Sequence, residues 1–240
     1  MLTSLFSREG LISLILSIPG LLLAIVFHEM AHGWAAYLMG DRTAKSMGRL
    51  SPNPLHHIDP IGAICMLFFR FGWAKPVPIN SANFKKRKLG IIMVSLAGPL
   101  ANFIIAFFCI LFAGILINMT ISDPIVINWF FDLLAEGAVL DIGKLGASTV
   151  VEFFYMVFIY GAILNIGFMV FNLIPIPPLD GSKIVMEFLP LRIKYTIYNY
   201  ERYFGLILIL LVYLGTLTPV LGWLREGVLS GITSVVELMF

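Results

Sequence analysis

Long apolar stretches alternate with short polar ones along this chain. A membrane-spanning helix needs roughly 20 consecutive apolar residues. The stretches that meet this requirement are 10–39, 89–117, 148–174 and 203–224. A fifth apolar stretch, 61–69, is too short to cross and is predicted to be re-entrant or interfacial. The pattern therefore predicts an all-α polytopic membrane protein with a single domain over residues 1–240.

The composition agrees with a chain whose surface faces lipid. Hydrophobic residues make up 59% of the sequence and charged residues 12%, with a mean hydropathy of +0.94. A soluble domain carries about 25% charged residues. We therefore expect the bilayer as the main partner and no nucleic acid. The first apolar stretch lacks the features of a cleaved signal peptide and is expected to be retained. Cys65 and Cys109 have no CxxC partner, which argues against a disulfide framework or a thiolate metal site.

Basic residues are distributed unevenly between the polar segments. Segments 40–88 and 183–202 hold nine and four Lys or Arg residues, whereas the three remaining segments hold one each. Because cytoplasmic loops carry the excess of Lys and Arg, these two segments are predicted to be cytoplasmic. We expect a multi-pass protein of the cell membrane, with any site near these segments opening towards the cytoplasm.

One apolar stretch contains the polar motif "FHEMAHGW", residues 27–34. His28 and His32 are four residues apart, so on a helix both imidazoles project from one face and can bind the same cation. Glu29 is placed to take a proton from water. Ionisable groups in a bilayer helix cost roughly 2.5–3.5 kcal/mol each, and a divalent cation offsets that cost. The alternative is two core histidines bonded to neighbouring backbone or hydroxyl groups.

A hydrolytic zinc needs a third protein ligand. It must lie as deep in the membrane as His28 and His32. The candidates that could reach that depth are His56, His57, Asp59 and Asp180. Asp180 fits best, because it lies in "NLIPIPPLDGS", residues 172–182, where three prolines forbid continued helix. Irregular backbone at that depth is tolerated only where it lines a polar cavity, and Gly181 would allow a tight turn. The alternative is that Asp180 only caps the following helix.

Three motifs carry a resemblance to a known family. "HEMAH", "AGPLAN" and "NLIPIPPLDG" resemble the site-2 proteases, which are intramembrane zinc metalloproteases. "GRLSPNPLHHIDPIGA" and "GWAKPVPIN" resemble the short prokaryotic members, without an inserted PDZ domain. The resemblance implies that His28, His32 and Asp180 bind one zinc ion per chain and that Glu29 is the catalytic base. It also implies that Asn172 holds the substrate strand or the oxyanion.

The expected architecture is a three-helix catalytic core with an additional C-terminal span. A small β or re-entrant element, about 49–80, would lie at the cytoplasmic face. Within it, Pro76 and Pro78 remove the N–H groups from one edge of a strand over 73–79, so the other edge could pair with substrate. Asn102 and His57 are further candidates for polar roles at the site, while Asn165 is expected to serve helix packing.

The expected function is zinc-dependent hydrolysis of peptide bonds in or near the transmembrane segments of other membrane proteins. The alternatives are an ion or metal transporter and a catalytically inactive zinc-binding membrane scaffold. A transporter would show matching halves with broken helices, and an inactive scaffold would not need Glu29.

Overall fold

The structure is a computed structural model that describes residues 7–62, 74–121, 123–136 and 138–240. Its regular structure is helical, which confirms the all-α prediction. In chain order the α-helices are α1 (Arg8–Met39), α2 (Thr43–Ser46), α3 (Arg87–Thr120), α4 (Pro124–Ala135), α5 (Thr149–Asn172), α6 (Asp180–Met186), α7 (Leu191–Tyr213) and α8 (Thr218–Glu237).

Three of these helices, α1, α3 and α5, are long and apolar enough to cross a bilayer, within the described part of the chain. They correspond to the predicted spans 10–39, 89–117 and 148–174. Pro19 and Pro99 lie inside α1 and α3; neighbouring helices can compensate the lost backbone hydrogen bonds in a membrane protein.

The fourth predicted span, 203–224, is not one straight helix. It covers the end of α7 and the start of α8, whose axes differ by 82°. Gly215 lies between them with a φ of +70°, a conformation that glycine adopts readily. The bent pair counts as at most one further crossing, so a fourth crossing stays a prediction.

The predicted β or re-entrant element, 49–80, is described only in part. The apolar stretch 61–69 falls largely outside the described residues, which resume at Ala74. On either side of the gap, Ile58 and Ala74 form an isolated antiparallel bridge. The described β structure in this element is thus one bridge followed by an extended segment.

A further helix, α4, lies between the second and third predicted spans. Asp123 caps its N-terminus by accepting a hydrogen bond from the Ile125 N–H at 2.9 Å, and Pro124 occupies its first turn. Phe130, Phe131 and Leu134 are almost fully buried.

The described chain divides into two compact units. The first comprises residues 1–24, 103–167 and 221–240, and the second residues 25–102 and 168–220. In the first, a Cβ on Gly20 would lie 2.5 Å from the Cα of Gly161, so the two backbones approach closely. Asn165 Nδ2 of α5 also reaches the carbonyl of Gly20 of α1 at 3.4 Å, a contact of the kind expected of an amide that packs helices. The predicted site residues lie in the second unit.

Candidate metal centre

The three predicted metal ligands lie together in the second unit. His28 and His32 are one turn apart on α1, and their Nε2 atoms are 3.0 Å apart. Asp180 is the first residue of α6, and its Oδ2 lies 3.2 Å from His28 Nε2 and 3.0 Å from His32 Nε2. All three residues are buried. Within the described residues, this is the one group of three or more His, Cys, Asp or Glu side chains arranged to hold a metal ion.

The outer nitrogens of both imidazoles face acceptors on α3. His28 Nδ1 is 2.6 Å from Asn102 Oδ1, and His32 Nδ1 is 2.7 Å from the carbonyl oxygen of Val94. A carbonyl oxygen can only accept, so each Nδ1 donates, and in a neutral imidazole Nε2 then carries a lone pair. Metal-binding histidines are oriented in this way. Asn102 therefore contacts His28, and its role at the site stays a prediction.

The three inner atoms fit a cation. Two Nε2 lone pairs and one carboxylate oxygen converge, and one proton could bridge only one of the three pairs. Zinc–ligand distances of about 2.0–2.1 Å in tetrahedral geometry separate two ligands by about 3.3 Å, close to the 3.0–3.2 Å between these atoms. The donor set of two imidazoles and one carboxylate is typical of catalytic zinc sites.

Gly98 of α3 leaves room beside the Nε2 atoms of both histidines. A Cβ at this position would lie 2.6 Å from His32 Nε2 and 2.7 Å from His28 Nε2. Real side chains do not approach so closely, so only glycine fits here without moving the imidazoles. The motif "AGPLAN" did not by itself indicate this contact of Gly98.

Asp180 reaches the histidines because the chain unwinds before it. Helix α5 ends at Asn172 and α6 begins at Asp180, with no side-chain cap on α6. The alternative that Asp180 only caps this helix is therefore not supported. Its second oxygen, Oδ1, accepts a hydrogen bond from Lys183 Nζ at 2.9 Å, which leaves Oδ2 directed at the imidazoles.

The reason for the adjacent glycine differs from the expected one. Gly181 does not have a positive φ, so no left-handed turn requires it. A Cβ at this position would instead collide with the carbonyl groups of Leu173 and Ile174. The glycine is needed because the unwound backbone folds directly over the start of α6.

Glu29 is held by the segment that follows the undescribed gap. Its Oε2 accepts a hydrogen bond from the backbone N–H of Val77 at 2.9 Å. This contact was not predicted from the sequence. The signal was present in "KPVPI", where prolines on both sides leave Val77 as the one N–H donor between them.

The other candidates for the third ligand do not reach the cluster. His57 is fully buried, and its Nε2 lies 2.8 Å from the carbonyl oxygen of Ser51. The neighbouring His56 is exposed. Asp59 accepts hydrogen bonds from the N–H groups of Ile61 and Gly62. These residues shape the segment between α2 and the gap.

Asn172 is the last residue of α5, and its Nδ2 donates to the carbonyl oxygen of Phe168 at 3.0 Å. This bond within its own helix does not test the predicted contact with substrate or oxyanion, which stays a prediction.

Fold and site together define a multi-pass membrane protein with a buried His–His–carboxylate metal centre. The profile of peptidase family M50, the family of the site-2 proteases, matches residues 16–213. The chain belongs to this family, and the resemblance of its motifs is thereby confirmed. A zinc metalloprotease is the activity that the family supports.

Curated relatives agree with this membership. The chain is 34% identical over 222 residues to "Putative zinc metalloprotease YwhC" of Bacillus subtilis (strain 168), covering 90% of each chain. It is 28% identical over 173 residues to "Putative zinc metalloprotease Rip2" of Mycolicibacterium smegmatis (strain ATCC 700084 / mc(2)155), covering 70% of this chain and 54% of that protein. No solved structure matches the chain significantly.

Proposed function

We propose that this protein is a zinc-dependent intramembrane endopeptidase that hydrolyses peptide bonds in or near the transmembrane segments of other membrane proteins. The observation that carries the proposal is the buried cluster of His28, His32 and Asp180, with Glu29 beside it on an apolar helix long enough to span a bilayer. A hydrolytic site at this place serves a substrate that is itself within the membrane.

His28, His32 and Asp180 would hold one zinc ion per chain. Zinc, when bound, supplies a Lewis acid that polarises the scissile carbonyl and lowers the pKa of water to about 7. Glu29 accepts the proton of the attacking water and passes it to the leaving amine. Asn102 and the Val94 carbonyl fix the two imidazoles in the tautomer that leaves both Nε2 atoms unprotonated.

The substrate must unwind locally, because a helix hides its carbonyl groups from attack. The strand edge that the sequence suggested as a template for it is not free in this structure. The N–H of Lys75 donates to the carbonyl of His57 at 2.8 Å, and that of Val77 donates to Glu29. We therefore propose that other groups bind the unwound substrate strand. Asn172, at the end of α5, is the first candidate.

We place the protein in the cell membrane with the site opening towards the cytoplasm. The support is the excess of Lys and Arg in segments 40–88 and 183–202. His32 is seven residues, or about 10 Å of helix, from the end of α1 that leads into the first of these segments. The substrate would be a transmembrane protein presented within the bilayer.

The decisive experiment compares wild type with Glu29→Gln. Both proteins are purified in detergent, measured for zinc per chain, and incubated with a library of quenched fluorescent peptides that each carry one transmembrane segment. We expect equal zinc content and a cleavage rate at least about 10²–10⁴-fold lower in the variant, since general acid–base catalysis is worth that much.

Two results would contradict the proposal. Near-normal turnover by Glu29→Gln would refute the hydrolytic mechanism. Zinc binding by wild type without cleavage of any library member would favour the inactive scaffold. A transporter would instead move zinc across reconstituted vesicles, and the rate would respond to the zinc gradient.

A further inference from the structure

Residues 74–80 form an extended segment whose conformation follows from its two prolines. A residue before proline is disfavoured in helical conformation, which applies to Lys75 and Val77. Pro76 and Pro78 have no N–H and a fixed φ. The segment is therefore stiff, and between its two prolines it offers a single backbone donor, the Val77 N–H.

This segment runs along the end of α1 that carries Glu29. The Val77 N–H donates to Glu29 Oε2 at 2.9 Å. One turn further along the helix, a Cβ on Gly33 would lie 2.5 Å from Leu50 Cδ2 and 3.2 Å from Val77 Cγ1, so glycine leaves room for both side chains at this face. Beyond the segment, the N–H of Lys85 donates to the Met39 carbonyl at the end of α1.

The far end of the segment is fixed by a buried acid. Asp41 lies two residues after the end of α1 and is fully buried. Its Oδ2 accepts a hydrogen bond from the Asn80 N–H at 2.7 Å, and its Oδ1 accepts one from Asn83 Nδ2 at 2.8 Å. Thr43 supplies two more donors to Oδ1, its N–H and its hydroxyl.

The near end is fixed separately. Arg49 donates from Nη2 to the carbonyl of Lys75 at 2.8 Å and to that of Pro76 at 3.3 Å. The Lys75 N–H donates a hydrogen bond to the carbonyl oxygen of His57. A stiff segment held at both ends keeps its middle N–H at a constant place beside Glu29.

We propose that Asp41 is a positioning residue for Glu29: it holds the extended segment so that the Val77 N–H binds and orients the Glu29 carboxylate. Because this bond fixes Oε2, the orientation of Oε1 is also fixed, and Oε1 is available for proton transfer. This inference rests on the proposed function of Glu29 as catalytic base. A displacement of about 1 Å in a catalytic group can lower the rate about 10²-fold.

A purely local role would not account for all the contacts of Asp41. The short helix α2 would need only the bonds with Thr43, whereas two further bonds join Asp41 to Asn80 and Asn83 across a sequence separation of 39 and 42 residues. The two longer-range bonds tie the end of α1 to the segment that contacts Glu29.

The first test is Asp41→Ala, with Asp59→Ala as the matched control. Asp59 also accepts two backbone N–H bonds, but from Ile61 and Gly62 rather than from the extended segment. Three quantities are measured on purified protein: zinc per chain, kcat and KM on a cleaved reporter peptide, and hydrogen exchange at the Val77 amide. We expect unchanged zinc, a kcat about 10–100-fold lower with KM within about threefold, and at least tenfold faster exchange. Asp59→Ala should leave the Val77 exchange rate as in wild type.

The second test changes the contact between the Val77 N–H and Glu29 directly. It also tests the proposal if Asp41→Ala does not fold. Val77→Pro removes the N–H and keeps an extended backbone, whereas Val77→Ala keeps the N–H and removes most of the buried side chain. We expect kcat to fall about 10–100-fold in the first and to stay within about threefold of wild type in the second. Equal kcat values for the two variants would overturn the proposal.

Hydrogen exchange at Val77 can be measured in a protein without proteolytic activity. It therefore tests this inference independently of the proposed function. Rapid exchange at Val77 in wild type, or a rate that Asp41→Ala leaves unchanged, would refute the positioning contact even in an active protease. Slow exchange that depends on Asp41, in a protein that cleaves none of the peptides, would refute the proposed function and leave the contact established.

Discussion

Two buried carboxylates in the second unit have opposite surroundings. Asp180 is 5% exposed, and its Oδ2 faces the Nε2 atoms of His28 and His32. Asp41 is 0% exposed, and both of its oxygens accept hydrogen bonds from N–H or O–H groups. Both acids are buried, so burial does not distinguish them.

The atoms around each acid do distinguish them. A buried carboxylate is stable when donors satisfy its lone pairs, which is the case for Asp41. Around Asp180 Oδ2 the neighbours are themselves acceptors, since their Nδ1 atoms carry the protons. Such a group needs a cation. We therefore interpret Asp180 as a metal ligand and Asp41 as a fixed link between α1 and the extended segment.

The largest expected effect is the loss of zinc from Asp180→Asn. A neutral amide replaces a carboxylate poorly on zinc, so we expect metal retention against a moderate chelator to fall by more than about 100-fold. Asp41→Asn and His57→Ala should retain close to one zinc per chain. Zinc per chain after dialysis in detergent is the measurement, and loss of zinc from Asp41→Asn with retention in Asp180→Asn would reverse the two assignments.

Gly98→Ala should have nearly as large an effect without changing any ligand. The added methyl group would lie 2.6–2.7 Å from both ligand nitrogens, so the imidazoles must move apart. We expect zinc affinity to fall by at least about 100-fold, measured by competition with a fluorescent chelator. Gly167→Ala is the matched control, because a Cβ there meets nothing within 4 Å; similar affinities for the two variants would show that the space beside the ligands is not needed.

A smaller effect is expected for Asn102→Ala, which removes the acceptor for His28 Nδ1. Loss of such a partner lowers metal affinity by roughly 10–100-fold. Asn102→Asp keeps an oxygen at this position and should retain most of the affinity. Asn165→Ala removes another fully buried amide, whose Nδ2 donates to the Gly161 carbonyl at 2.8 Å, and should not change zinc binding. If Asn102→Asp binds zinc as weakly as Asn102→Ala, the hydrogen bond to His28 is not what matters.

Much of the candidate metal site was predictable because local sequence rules determine it. Spacing by four residues on a helix brings His28 and His32 to one face, and the prolines before Asp180 end the helix close to that depth. The link through Asp41 was not predictable in this way. It joins a side chain to a backbone N–H 39 residues away, and no periodic pattern in the sequence marks such a pair.

The fold differs from the prediction where hydropathy alone was used. Stretch 203–224 is apolar throughout, but a turn at Gly215 divides it between α7 and α8. The segment before α5 contains α4, whose N-cap Asp123 and first-turn Pro124 are helix-start signals that hydropathy does not take into account. The apolar content of a stretch indicates how favourably it transfers into lipid. Where a helix ends depends instead on backbone conformation and capping residues.

The smallest expected effect is a pH dependence that belongs to Asp41. Burial alone would raise the pKa of this carboxyl, but hydrogen bonds from Thr43, Asn80 and Asn83 outweigh it and hold the pKa below its usual value. A group with a lowered folded-state pKa stabilises the protein above its unfolded pKa of about 3.9, and this contribution is lost as the pH falls through the folded-state value. We therefore expect zinc-free wild type to have a higher Tm than Asp41→Asn near neutral pH.

The Tm difference between these two proteins should shrink below about pH 4, because a protonated Asp41 and an asparagine then present similar groups to the same donors. The other carboxylates titrate alike in both proteins, so their contributions cancel in the Tm difference. Thermal unfolding in detergent between pH 3 and pH 7 measures it. A Tm difference that stays constant over this range would mean that the charge of Asp41 does not stabilise the link, and that its buried oxygens act only as neutral acceptors for Asn80 and Asn83.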